Sequence, residues 1–109
     1  MGLVKLRVKQ KYLTSSGWII TPDGVGENNK INVHYITISS YGDNTDVDVH
    51  FGESPSEDDY VAGGYFSSMG GLHEAYGEKY FLSGGMGEGL YCTLTSGGPV
   101  KIYVKYTFG

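Results

Sequence analysis

The residues of this chain that could do chemistry are carboxylates, histidines, one thiol and a row of cations. Asp43, Asp46, Asp48, Glu53, Glu57, Asp58 and Asp59 place seven of the twelve acids in one stretch, from "DNTDVD" to "ESPSEDD". Oxygen-rich loops bind calcium, yet this stretch lacks the central glycine and distal glutamate of an EF-hand loop. A glycosidase needs two carboxyl groups about 5–10 Å apart flanking a cleft, and acids on an exposed strand and turn do not supply one. The stretch therefore reads as a solvated sheet face with an acidic turn. His34, His50 and His73 fall at no metal-ligand spacing, and no GxSxG elbow makes a nucleophile of a serine. Cys92 is the only cysteine, so no internal disulfide forms. Its shared parity with Leu90 and Leu94 makes it a small buried hydrophobe. The glycine run "VAGGYFSSMGG…LSGGMGEG" lacks the order of a phosphate-binding loop and reads as turns and bulges. No catalytic, cofactor-binding or metal-binding residue is assigned.

The polar feature with real organisation is a basic row. In "LVKLRVKQKYL", Val4, Leu6, Val8 and Tyr12 share one parity, and Lys5, Arg7, Lys9 and Lys11 share the other. Period-2 alternation of this kind is a half-buried strand, here with its cations outward. Lysines on an edge strand discourage unwanted pairing. The same row can also meet an acidic surface, such as a neighbouring copy's 43–59 region. The ten tyrosines cannot all be buried in so small a core, and exposed tyrosine favours protein interfaces and sugar stacking. Lys5, Arg7, Lys9 and Lys11, with Tyr41, Tyr65 and Tyr76, are the candidate partner-binding residues. Nucleic acid is not an expected partner. The formal charge is −4 and the aromatic residues do not interleave with the basic row.

Most of the chain that must hold these groups reads as strands. "SGWIIT" is a short one, followed by a turn-rich "PDGVGENNK". "INVHYITISS" is apolar on both parities, as expected of a central strand covered on both sides. "YGDNT" reads as a hairpin turn leading into "DVDVHFG". "YVAGGYFSS" is a strand with a glycine break, read as a bulge. Residues 69–89 are the least regular, with a loop and a short strand near Lys79 to Leu82. "LYCTLT" and "VKIYVKYTF" form a closing hairpin across "SGGP", with Leu90, Cys92, Leu94, Val100, Ile102, Val104, Tyr106 and Phe108 facing in.

Strands at about 8–12-residue spacing with turn signals between them predict an all-β fold. The expected architecture is a single-domain β-sandwich, jelly-roll-like, of about eight antiparallel strands. It spans residues 1–109, with 1–13 as an N-terminal basic strand able to reach a neighbouring subunit. The composition agrees: 18 Gly, 10 Tyr and only 18% charged residues favour strands and turns over helices. "MGLVKLRVKQ" has no apolar run of signal-peptide length, and no transmembrane run is present, which predicts cytoplasmic synthesis and no membrane partner.

The order "INVHYITISS", polar turn, "DVDVHFG", "YVAGGYFSS", glycine-rich loop and "GEGLYCTLTSGGPVKIYVKYTF", over residues 31–108, resembles small β-sandwich virion proteins of tailed bacteriophages, the capsid decoration or cement proteins. The resemblance implies a non-enzymatic viral structural protein on the capsid surface. It would bind the major capsid protein of the assembled head as a homo-oligomer, with a trimer favoured, and need no cofactor. The alternatives are a carbohydrate-binding, lectin-like module on a virion or tail, using Trp18 and tyrosines for stacking, and a tail or neck structural protein.

Overall fold

The computed structural model describes residues 6–54, 59–75 and 82–109. Its elements in chain order are β1 (Arg7–Leu13), β2 (Gly17–Ile20), α1 (Pro22–Val25), β3 (Ile31–Ser40), β4 (Thr45–Phe51), β5 (Tyr60–Phe66), β6 (Gly70–Ala75), β7 (Leu82–Ser83), β8 (Leu90–Ser96) and β9 (Val100–Phe108). The larger sheet runs β1-β9-β3-β6, with β7 also paired to β3, and the smaller runs β2-β8-β4-β5. Every pair is antiparallel. Apart from the β4–β5 and β6–β7 steps, the chain changes sheet at each new strand. Two four-strand paths ordered this way, with the chain passing back and forth between them, make the two sheets of a jelly roll, so the expected sandwich is the observed one.

The two inner faces share one core. Ile31, Val33, Ile36 and Ile38 of β3 and Val100, Ile102 and Val104 of β9 are completely buried, as are Val47 and Val49 of β4 and Leu90 and Cys92 of β8. Packing two apolar sheet faces removes this surface from water, which is the main force holding the layers together.

Six local expectations are corrected. The segment "PDGVGENNK" begins with the helical turn α1, capped by Thr21, whose Oγ1 accepts from Gly24 N–H at 3.1 Å, with Pro22 at its start. In β3 both parities are apolar because of a bulge, not because the strand is covered on both sides. Val33 pairs with Tyr106 and Tyr35 with Lys105, so His34 is the extra residue and the parity flips behind it. Ile31 and Val33 before the bulge, and Ile36 and Ile38 after it, all reach the same core.

"YGDNT" makes no hairpin, because β3 and β4 lie in different sheets; nor does "SGGP", because β8 and β9 do too. Both turns are arches from one layer to the other, and they are tied together. Gly98 N–H donates to Thr45 Oγ1 (3.0 Å), Ser40 Oγ donates to the same oxygen (2.8 Å), and Tyr41 N–H donates to the Pro99 carbonyl (3.0 Å). Finally, "GGLHEA" is a strand paired to β3. The bulge expected at the glycines of β5 lies at Val61 instead, where the β4 register shifts between Val49 and His50. Lys79–Phe81 lie outside the described residues, and Leu82 falls in β7.

Candidate functional site

The first strand turns out reversed relative to its expected orientation. Arg7 pairs with Tyr106, Lys9 with Val104 and Lys11 with Ile102, so the cations share the face on which β9 packs into the core. They are nonetheless exposed, since β1 is the sheet edge and β2, opposite it, is only four residues long. Arg7 lays its guanidinium 4.7 Å from the centroid of the Phe108 ring. Leu6, Val8 and Tyr12, expected inside, lie on the outer face and are 38%, 52% and 59% exposed. Lys5 and Tyr76 lie outside the described residues. Tyr41 and Tyr65 are both exposed and both lie near the β3–β4 turn, but Tyr41 sits against β1 of the larger sheet and Tyr65 belongs to β5 of the smaller. Tyr41 sits 6.3 Å from Tyr12, and Tyr65 donates its hydroxyl to Asn44 Oδ1 at 2.8 Å. The five described candidates, Arg7, Lys9, Lys11, Tyr41 and Tyr65, therefore do not form one patch.

Two outer faces do form. On the larger sheet the register aligns three rows across β1, β9 and β3: Val8, Lys105 and Tyr35; Gln10, Tyr103 and Thr37; Tyr12, Lys101 and Ser39. Lys105 Nζ lies 5.7 Å from the Tyr35 ring and 6.0 Å from that of Tyr103, which holds its charge over a tyrosine surface. A shallow depression of about 460 Å³ opens between Gln10, Tyr12, Tyr41 and Lys101. Sequence reading missed this face, although Lys101, Tyr103 and Lys105 occupy the outward parity of "VKIYVKYTF".

On the smaller sheet an aromatic row crosses all four strands: Trp18, Tyr91, His50 and Tyr60. Trp18 and Tyr91 meet edge-to-face at 4.9 Å, and His50 follows at 5.6 Å from Tyr91. His50 is buried and held at both nitrogens, Nδ1 donating to the Gly52 carbonyl (2.7 Å) and Nε2 bonding Thr93 Oγ1 (2.7 Å). Beside the row stand Asp48, opposite Thr93 and Gly63, and Asp46, opposite Ser96 and Tyr65. Burial, and then the charge of Asp46, push the Asp48 carboxyl above its ordinary range, with His50 opposing. Burial and the charges of Asp48 and Glu74 likewise raise the Tyr60 phenol.

The cations are thus gathered in the larger layer, where β6 adds the one carboxylate, Glu74, of its described strands. Arg7, Lys9, Lys11, Lys101 and Lys105 all lie on the β1–β9 pair, and Lys30 is the one further described cation. No strand of the smaller sheet carries a lysine or arginine, and β1, β9 and β3 carry no carboxylate. Among the described residues no cluster of histidine, cysteine, aspartate or glutamate is gathered for a metal. Cys92 is fully buried, as expected, and its thiol is pushed up to about 12 by burial and then by Asp48.

No family model matches the chain, and neither a curated protein nor a solved structure matches it.

Proposed function

We propose that this protein is a virion structural subunit, a decoration or cement protein that docks on the assembled head and reinforces it. The observation that carries the reading is the pair of broad, tyrosine-bearing outer faces with opposite charge. Side chains such as tyrosine bring large contact area at low entropic cost, and the separated charges select acidic or basic partner surfaces and set orientation. Jelly rolls occur in viral capsid proteins and in lectins, so the fold admits the role without assigning it. Weak contacts repeated over a shell add through avidity.

The test is immunogold labelling of gradient-purified particles from the organism that encodes the chain. Regular labelling of heads is the expected result. Label confined to tails moves the protein to a tail or neck role, and unlabelled particles remove the virion reading.

A sugar-binding role has one observation in its favour, the row Trp18, Tyr91, His50 and Tyr60 beside Asp46 and Asp48. Aromatic faces stack on sugar rings, and carboxylates accept from hydroxyls. Titration of Trp18 fluorescence with oligosaccharides separates the two readings, since saturable quenching would favour sugar.

A further inference from the structure

We infer that the protein associates with copies of itself head to tail, the Lys101–Tyr103–Lys105 face of one copy docking on the Asp46–Asp48 face of the next. The inference rests on the reading of the chain as an assembly subunit and names the contact that the assembly uses.

Three observations lead there. First, among the described residues each face carries charge of one sign, with no opposite charge on the strands that flank it. Asp46 and Asp48 stand two residues apart on one parity of β4, in a sheet whose strands supply no cation; Lys101 and Lys105 stand on β9 between β1 and β3, which supply no carboxylate. A lysine brought over the aspartate pair relieves the repulsion within that pair, and water leaves a contact that is matched in charge.

Second, both faces carry apolar and aromatic area suited to burial. Val8 and Tyr12 are 52% and 59% exposed beside the lysines, and Tyr65 is 61% exposed beside Asp46. β9 has nine residues, so four strands abreast present a surface of about 30 by 19 Å. That is near the roughly 600 Å² per partner at the lower end of specific interfaces.

Third, the sign of the charge chooses the symmetry. A twofold contact would bring like face to like face, lysine against lysine or aspartate against aspartate, and is disfavoured. Unlike faces make a heterologous contact. The two faces are the opposite outer sides of a two-layer sandwich, so successive copies stack in nearly one direction. A threefold ring, the form the sequence resemblance implies, needs two contact patches whose directions differ by only about 60°. The stack therefore grows as an open row or closes only as a large ring.

The experiment is sedimentation velocity of the purified full chain over a range of concentration, at low and high salt. The expected result is a concentration-dependent series of oligomers that shortens in high salt. Two double variants follow: Lys101→Glu with Lys105→Glu, and Asp46→Lys with Asp48→Lys. Each alone should weaken association by about tenfold or more. Mixed, they should restore it, because each then presents a face that matches the other.

Should either variant misfold, zero-length carbodiimide cross-linking of mixed heavy- and light-isotope wild-type chains gives an independent answer. Intermolecular links from Lys101 or Lys105 to Asp46 or Asp48 are expected. A chain that stays monomeric at every concentration, a closed trimer indifferent to both reversals, or intermolecular links that avoid these residues would each overturn the inference. Because the measurement uses the isolated chain, its failure leaves head labelling untouched, and the reverse holds too.

Discussion

Asp48 and Cys92 lie on opposite sides of the smaller sheet and show what burial does to a single ionisable group. The Cys92 thiol, fully buried and pushed up to about 12, stays protonated in the native protein. It should resist a thiol reagent in mildly alkaline buffer and react only as urea unfolds the chain, which an Ellman titration across the transition reads directly. Asp48 is raised for the same first reason, with Asp46 adding to it. A carboxyl raised in the folded state binds its proton there more tightly than in the unfolded chain. Its favourable contribution is therefore complete below the ordinary carboxylate range and is lost as pH rises through the higher folded value. Asp48→Asn should accordingly melt higher than the wild type at neutral pH, and the advantage should disappear in acid. A melting series over pH that shows equal midpoints throughout would remove the assignment.

At the scale of elements, the β4–β5 pairing depends on two adjacent glycines that are not equivalent. A Cβ on Gly63 would collide with the Val47 carbonyl oxygen and come within 2.8 Å of Asp48 Cα, whereas one on Gly64 would meet only the Phe66 ring at 3.7 Å. Gly63→Ala must push the strands apart and should cost about 1–3 kcal/mol, the usual range for overpacking. Gly64→Ala should change stability by less than about 1 kcal/mol, because it removes unfolded-chain freedom without a clash. Urea midpoints of the two variants check the contrast. The bulge at His34 belongs to this scale as well. Its Nε2 bonds Thr107 Oγ1 at 2.9 Å, fastening the extra residue to the neighbouring strand and keeping both halves of β3 aimed at the core.

For the whole molecule, the order of the strands governs how the fold is reached. The first strand pairs with the last, Arg7 opposite Tyr106, and consecutive strands mostly lie in opposite layers. Contacts so distant along the chain need large loops closed before burial rewards them. Refolding should take milliseconds to seconds rather than microseconds, as for other all-β domains, and stopped-flow tryptophan fluorescence on Trp18 measures it. The same layering separates the cations from the acids of the smaller sheet, which is the basis of the proposed head-to-tail contact.

The sequence by itself determined the all-β class, the strands around Ile31–Ser40, Thr45–Phe51, Leu90–Ser96 and Val100–Phe108, and most of the core. Alternation of apolar residues records which side of a strand is kept from water, and β8 and β9 follow it closely. "GGLHEA" was not legible, for it has no β-branched residue and becomes a strand by pairing with β3. The outward set Lys101, Tyr103 and Lys105 was legible but its neighbours were not, because a pattern along one strand does not say which strand lies beside it.

Only the tertiary structure decided that the "SGGP" and "YGDNT" turns cross between layers, that His34 flips the parity of β3, and that the apolar side of β1 faces outward. Each of these depends on hydrogen-bond register with a segment far away in the chain. An edge strand also has no second layer over its whole length to enforce its alternation. For that reason Arg7, Lys9 and Lys11 can lie on the core side of the sheet and still reach water.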